Sequence, residues 1–359
     1  MAGKSIAPSG LERLCATLNR RWKPLDSARE QSALVRKTLA ESLERLIPGD
    51  TSLVVYGSIA REEYTQGSDA DWTLLVDGQA DPGHFNVVHT IRKVIEGQKL
   101  HPPGPTATFG SVIFSHEIVH HIGGQSDSNK NTTQRILLLL ESAPVGRAEA
   151  YERVIRAVLS RYLDDDISFL TRSRSGLQYR VPRFLLNEVV RYWRTMCVDY
   201  ATKFRERLGA EWALRNAKLR MSRKLIFASG LMMCFSCYLQ PPPQFIDLFD
   251  IPNTFEPMVM HLRSFVGRSP IDIMADAFCD YAPDSAGMFF DAYSRFMEII
   301  ADGAKRQHLK DLPAENAKRD AVFEEIRNVA DDFQRSLNAL FYDSNETKLR
   351  DLTRKYGMF

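Results

Sequence analysis

Two aspartates, Asp69 and Asp71, are the residues whose type and spacing most directly suggest chemistry. Asp71 directly precedes the apolar run 72–76, which predicts a short buried strand. Because side chains alternate along an extended chain, residues two apart leave the same face, so the two carboxylates are expected side by side. Carboxylates this close raise each other's pKa unless a cation neutralises them. The pair therefore predicts a site for divalent metal, the arrangement that supports in-line attack on a phosphate with two Mg²⁺ ions.

A Gly57-Ser58 pair lies upstream, at the end of the apolar run 53–56. That run predicts another buried strand, and residues 59–64 after the pair predict one or two turns of helix. Glycine lets a backbone approach a ligand closely, and free N–H groups at a helix start favour a triphosphate. Gly57 and Ser58 are therefore candidates for holding the β- and γ-phosphates of a nucleotide.

The combined pattern is Gly57-Ser58 followed after ten residues by Asp69-Ala70-Asp71. It resembles the nucleotidyltransferase superfamily typified by DNA polymerase β. The resemblance implies an α+β fold, with a catalytic core of mixed sheet and helices and a large all-helical C-terminal domain. It implies transfer of a nucleotidyl group from a nucleoside or deoxynucleoside triphosphate, ATP among them, to a hydroxyl with release of pyrophosphate. It also implies two Mg²⁺ ions, with Mn²⁺ as a substitute, held by Asp69, Asp71 and a third carboxylate.

The third carboxylate is expected from a neighbouring strand. Residues 110–119 predict a strand that carries Glu117, the first candidate, which together with one metal would lower the pKa of the attacking hydroxyl. Asp127 in the following loop is the alternative. His116 and His120 have the spacing of paired ligands on a helix, but the stretch is predicted to be extended and Mg²⁺ prefers oxygen ligands, so a histidine metal site is disfavoured.

Further candidates lie in two predicted helices. In the helix over residues 212–227, Arg215, Lys218 and Ser222 share one face. In similar enzymes a lysine and a serine from the helical domain stabilise charge on the leaving pyrophosphate, so the resemblance makes Lys218 and Ser222 candidates for phosphate binding. A solvated basic face is the alternative. Arg135, in a helix predicted over 132–142, is expected to be solvated; contact with the nucleotide phosphates is the alternative, which a cation at a helix N-terminus disfavours.

Length and breaks in the apolar pattern predict the domain organisation. A chain of 359 residues is long enough for two domains. Pro48-Gly49-Asp50 and Pro144-Val145-Gly146 are the predicted boundaries, and polar residues 303–317 predict a loop. The predicted parts are N-terminal helices (1–48), a catalytic domain (49–145), a helical domain completing the nucleotide cleft (146–345) and a flexible tail (346–359).

Composition predicts a cytoplasmic protein without a membrane span. The N-terminus lacks the apolar core of a signal peptide, and no run of eighteen apolar residues occurs. The five cysteines are scattered. Cys234-Phe-Ser-Cys237 lies in an apolar run with no second pair, so buried thiols are predicted rather than a metal or redox site. The net charge of +2 gives no strong argument for duplex nucleic acid.

Three functions are compatible with these motifs. The first is synthesis of an oligonucleotide signal for a separate effector protein in bacterial antiviral defence. A narrower resemblance is to Hailong-type defence enzymes, which grow single-stranded DNA from a C-terminal tyrosine, and Tyr356 has the position of such a primer. The second is transfer of AMP or UMP to a partner protein. The third is an inactive interaction protein, which the intact motifs argue against. The base, the sugar, the form of the product and the oligomeric state stay open.

Overall fold

The computed structural model describes residues 8–104, 108–166, 169–173, 176–206, 208–242 and 255–357. Helices there surround a four-stranded sheet and a separate two-stranded one, which confirms the predicted α+β class. The strands are β1 (Thr51–Tyr56), β2 (Trp72–Val76), β3 (Ser111–Phe114), β4 (Ser142–Val145), β5 (Leu170–Ser173) and β6 (Gly176–Tyr179). The first helices are α1 (Gly10–Leu18), α2 (Lys23–Leu43), α3 (Gly57–Ala60), α4 (Gly83–Gly97), α5 (Ser115–His120), α6 (Asn129–Leu140), α7 (Glu149–Asp164) and α8 (Arg183–Glu206).

The remaining helices follow from residue 212 onward. They are α9 (Trp212–Lys218), a π-helix (Leu219–Arg223), α10 (Lys224–Leu239), α11 (Glu256–Arg263), α12 (Pro270–Tyr281), α13 (Pro283–Ala301), α14 (Gly303–Asp311), α15 (Ala321–Phe341) and α16 (Thr347–Tyr356). Short 3₁₀ helices cover Glu44–Leu46 and Ala317–Arg319. No helix within the described part of the chain is long and apolar enough to cross a membrane.

The four-stranded sheet has the order β3-β2-β1-β4. β1 runs antiparallel to both β2 and β4, whereas β2 and β3 are parallel. Every residue of β1 and β2 is buried, as expected for central strands covered on both faces. Since Val55 pairs with Trp72, the end of β1 and the start of β2 lie side by side. This register brings Gly57 next to Asp71.

The helices that cover the sheet use its two faces. Leu53 and Val55 of β1 belong to one apolar core with residues of α2 and α4. Ser52, which alternates with them, accepts a hydrogen bond from the backbone N–H of Tyr151 in α7 (3.1 Å). Alternation along β1 therefore separates an apolar layer formed by α2 and α4 from a layer formed by α7.

The chain divides into two compact units, each assembled from separate segments. The sheet unit comprises residues 27–196 and 233–268, and the helical unit comprises residues 1–26, 197–232 and 269–359. The sheet unit thus continues beyond the boundary predicted after residue 145. As limits of domains, the boundaries at 48, 145 and 345 stay predictions.

The helical unit has an aromatic core of its own. Phe278, Phe289, Phe290 and Phe333 are fully buried. The ring centroid of Phe289 lies 4.6 Å from that of Phe278, 4.9 Å from that of Phe290 and 4.7 Å from that of Phe333. Aromatic contacts of this kind add to the free energy gained by burial.

Two sequence predictions for the helical unit differ from the structure. Residues 303–311, predicted as part of a loop, form α14, because the Asp302 side chain caps the N–H groups of Ala304 and Lys305 (2.9 and 3.0 Å). Residues 347–356, within the predicted flexible tail, form α16, whose residues Leu349 and Leu352 are buried. Both segments are mostly polar in sequence because each helix buries only a narrow stripe of side chains, and their composition therefore did not predict a helix.

Candidate active site

The two motifs meet at the junction of β1 and β2. Tyr56 donates its backbone N–H to the carbonyl oxygen of Asp71 (2.8 Å), which fixes the turn after β1 beside the aspartate. Gly57 has φ +63°, and a Cβ at this position would lie 3.1 Å from Oδ2 of Asp71. Glycine is required here both by the left-handed backbone and by the close approach of the carboxylate. Ser58, which follows in α3, is partly exposed.

Arg61 connects this turn to a neighbouring strand. Its Nε donates to Oε2 of Glu63 (3.0 Å), and its Nη1 donates to Oε2 of Glu141. Glu141 precedes β4 and also accepts a hydrogen bond from the hydroxyl of Tyr192 (3.2 Å). Both carboxylates are buried, with 4% and 8% of their side chains exposed. Because Nη1 lies 3.9 Å from the Cβ position of Gly57, the ion pairs are adjacent to the turn they stabilise.

Helix α2 anchors the other side of the turn. Glu62 adopts a left-handed conformation (φ +64°), which is unusual for a residue with a side chain. Its carboxylate pairs with Nε of Arg29 (2.7 Å) and with Arg36 (3.1 Å). Arg36 also donates to the carbonyl oxygen of Ile59 (2.9 Å). The strain at Glu62 is thus offset by contacts that tie α3 to α2.

Asp69 lies on a short loop that is itself well ordered by hydrogen bonds. Thr65 and Ser68 are linked by hydrogen bonds of 2.8–3.2 Å, and Ala70 donates its N–H to the carbonyl oxygen of His101 (2.8 Å). The carboxylate of Asp69 is exposed. Burial raises the pKa of Tyr64, and the charge of Asp69 raises it further. Asp69 therefore faces open space with one hydroxyl group near it.

The donor set fits a magnesium ion. Mg²⁺ in proteins is commonly held by one or two carboxylates together with waters and substrate phosphates, and Asp69 and Asp71 supply two. No group of three histidine, cysteine or acidic residues among the described residues could hold a metal, so the protein offers no closed cage there. Near the turn, Glu63 and Glu141 are engaged in ion pairs with Arg61, so the charge that would attract a cation is that of Asp69 and Asp71.

Glu117 is not brought together with the two aspartates. The strand predicted over 110–119 ends at Phe114, and Glu117 lies in α5, where Ile118 alone is buried. β2 and β3 are parallel, so the aspartates precede the start of β2 whereas Glu117 follows the end of β3. At about 3.3 Å per residue, the length of a strand separates them. The sequence of residues 102–110, which precede β3, contains no acidic residue.

Asp127, the alternative third carboxylate, is engaged elsewhere. It accepts hydrogen bonds from Nη1 and Nη2 of Arg135 (3.0 and 2.7 Å). Arg135 also contacts Glu188 (3.1 Å) and the hydroxyl of Tyr162 (2.9 Å), and its side chain is 0% exposed. The expectation of a solvated Arg135 is therefore wrong, because three partners distant in sequence neutralise and bury it.

The histidines of α5 do lie on a helix, contrary to the prediction of a strand. The ring centroids of His116 and His120 are 4.8 Å apart, and those of His116 and His121 are 5.5 Å apart. They form no three-ligand group with described residues. Cys234 and Cys237 are fully buried, as predicted, and burial raises the pKa of both thiols.

Lys218, Ser222 and Tyr356 all belong to the helical unit. Lys218 ends α9, and Ser222 lies in the π-helix with 7% of its surface exposed. Tyr356 is the last residue of α16 and is partly buried, with Nζ of Lys355 5.1 Å from the centre of its ring. Their roles in phosphate binding and priming stay predictions.

Sequence reasoning missed the partners of Arg61. Glu141 is 80 positions away from it, and Tyr192 is 51 positions from Glu141. Nothing in the local pattern marks Glu141, which ends an apolar helical run. The only signal was the position of Arg61 and Glu63 inside the motif, three to five residues after Ser58.

Comparison with known families agrees with this geometry. Residues 36–102 match the family model described as a nucleotidyltransferase domain, of the polymerase β-like superfamily, which confirms the resemblance. The match includes Gly57, Ser58, Asp69 and Asp71 as well as Arg61. No curated protein matches the chain.

Proposed function

Starting from a nucleotidyltransferase domain at residues 36–102, we propose that this protein transfers a nucleotidyl group from a nucleoside or deoxynucleoside triphosphate to a hydroxyl, with release of pyrophosphate. The observation that carries the proposal is the close approach of the Asp71 carboxylate to Gly57, at a turn whose left-handed backbone favours glycine. This geometry leaves space for the backbone or a phosphate of the substrate close to the turn, where the carboxylates would hold a cation.

Each residue of the turn would have a separate role in the reaction. Asp69 and Asp71 would hold Mg²⁺, which when bound lowers the pKa of the attacking hydroxyl and offsets the phosphate charge. Gly57 leaves room for the triphosphate, and Ser58 offers a hydroxyl donor at the start of α3. Arg61 keeps the turn and Glu141 together, so that the site is ordered before substrate binds.

A pair of isosteric variants tests this assignment. Asp71→Asn removes the charge that holds the cation and keeps the shape of the side chain, so turnover should fall by at least about a thousandfold, the scale of losing one main electrostatic contribution. Glu117→Gln is the matched control, and turnover should stay within about twofold of the unchanged protein. The measurement is pyrophosphate release with Mg²⁺ and each nucleotide, beside a thermal melt that verifies folding. Near-normal turnover in Asp71→Asn would refute the metal assignment.

The acceptor is tested separately. We propose an oligonucleotide product acting as a defence signal, with Tyr356 as the candidate primer and a partner protein's hydroxyl as the alternative acceptor. The protein is incubated with Mg²⁺ and one labelled nucleotide at a time, and products are separated with and without protease. A protease-sensitive ladder that Tyr356→Phe abolishes supports self-priming. Small protease-insensitive products support a diffusible oligonucleotide. Label that appears only after a partner protein is added supports protein modification.

A further inference from the structure

Three cations surround the π-helix of the helical unit. Arg220 and Arg223 belong to the π-helix and Lys224 begins α10, and all three side chains are partly buried. A π-helix inserts an extra residue into a helical turn, is rare, and occurs frequently at functional sites. Here it places three positive charges within five residues, on a segment that also buries Met221 and Ser222.

The partners of these cations do not neutralise them. Within the described part of the chain, neither Arg220 nor Arg223 has a hydrogen-bond or ion-pair partner. Lys224 donates from Nζ to Oε1 of Gln334 (2.7 Å), an uncharged amide oxygen. A partly buried guanidinium without an anionic partner loses hydration and gains nothing in return. The arrangement is therefore costly unless an anion joins it.

Arg220 also repels Lys224. Burial and then the charge of Arg220 lower the pKa of Lys224, and among the described residues Asp331 and the thiol of Cys197 oppose this shift. Burial raises the pKa of the Cys197 thiol, and the charges of Arg223 and Lys224 oppose that shift. Of the acids close in sequence, Asp199 is paired with Lys203 (2.6 Å) and Glu211 with Arg215 (3.7 Å).

We propose that Arg220, Arg223 and Lys224 form a phosphate-binding site on the helical unit. Guanidinium groups match phosphate oxygens in a two-point geometry, and an ammonium adds a compact charge. The same chemistry would accept the phosphates of a free polyphosphate or the backbone of a single-stranded oligonucleotide. The cluster lies outside residues 36–102, so its test requires no nucleotidyl transfer.

The test measures binding to the full-length protein in EDTA, which removes metal from the aspartates. The probes are tripolyphosphate and a fluorescent single-stranded DNA ten-mer, followed by thermal melting and by anisotropy. We expect Arg220→Gln and Arg223→Gln each to weaken binding of at least one probe by about tenfold or more, and added NaCl to weaken it further. Arg354→Gln, which removes an exposed charge from α16, is the control and should leave binding unchanged.

A second readout separates a binding site from a structural cluster. Because the cations repel one another, Arg223→Gln should melt at the same or a higher temperature than the unchanged protein in phosphate-free buffer, and should lose the stabilisation by phosphate. Stronger binding of tripolyphosphate would identify a free polyphosphate as the ligand, and stronger binding of the ten-mer an oligonucleotide. Absence of binding by both probes, or equal binding by all variants, would overturn the proposal.

Discussion

At the residue scale, Gly57 combines a left-handed backbone with the close approach of the Asp71 carboxylate. Alanine there would have to hold a left-handed backbone, which costs roughly 1–2 kcal/mol, and its Cβ would press against Oδ2 of Asp71. We expect Gly57→Ala to fold but to displace the carboxylate, with a loss of turnover on the order of 10²-fold. The measurement is pyrophosphate release under saturating nucleotide.

The control for this prediction is a glycine without such constraints. Gly97 ends α4, has no atom within 4 Å of its Cβ position and no left-handed φ. Gly97→Ala should keep normal turnover and a similar or slightly higher melting temperature. Equal turnover in Gly57→Ala and Gly97→Ala would contradict the argument that the turn requires glycine for activity.

At the scale of elements, α2 and α3 are held together through a strained residue, Glu62. Glu62→Ala and Glu62→Gly both lose the ion pairs with Arg29 and Arg36, but alanine alone keeps a Cβ in the left-handed region. We expect the alanine variant to be less stable than the glycine variant by about 1 kcal/mol in urea unfolding. Equal stability of the two variants would mean that the backbone at residue 62 relaxes once the ion pairs are lost, which would contradict the argument from strain.

The elements also explain why Glu117, a candidate third carboxylate, lies in a helix and not in the predicted strand. β3 contains the apolar run Val112-Ile113-Phe114, and Ile118 lies four residues after Phe114, on the face expected if the strand continued. α5 buries only Ile118, a one-sided pattern that a short helix satisfies as well as a strand does. A segment of a few residues with one buried position fits both the two-residue period of a strand and the 3.6-residue period of a helix.

At the scale of the whole molecule, the buried Arg135 carries the largest predicted effect on stability. Its partners Asp127, Tyr162 and Glu188 come from a loop, α7 and α8, so one guanidinium links parts of the chain up to 53 positions away. Arg135→Met would leave the buried carboxylate of Asp127 without its cation and Glu188 with Arg191 (3.5 Å), and we expect a loss of about 3–5 kcal/mol in the free energy of unfolding.

The accompanying control neutralises those carboxylates. Asp127→Asn with Glu188→Gln in the Arg135→Met background should recover part of the lost stability, measured by urea unfolding. A loss below about 1 kcal/mol in the single variant would show that water or rearrangement satisfies the pair. A raised KM for nucleotide with unchanged stability would instead support a role for Arg135 in phosphate binding.

The sequence by itself determined the local features of the site. Gly57-Ser58 and Asp69-Ala70-Asp71 border apolar runs that are buried strands in the structure. Their pattern carried the resemblance to the superfamily, and the resemblance implied the α+β class. Such features depend on neighbouring residues alone, since strand alternation and the backbone freedom of glycine act within a few positions.

Tertiary structure alone decided which distant groups meet. The parallel pairing of β2 with β3 puts Glu117 beyond the far end of the sheet from the aspartates, and the pairing of β4 with β1 puts Glu141 beside Arg61. Arg135, which was expected to be solvated, is instead buried in an ion pair with Asp127. These outcomes depend on strand register and on packing between segments 50 or more positions apart, and a local sequence pattern carries no information about either.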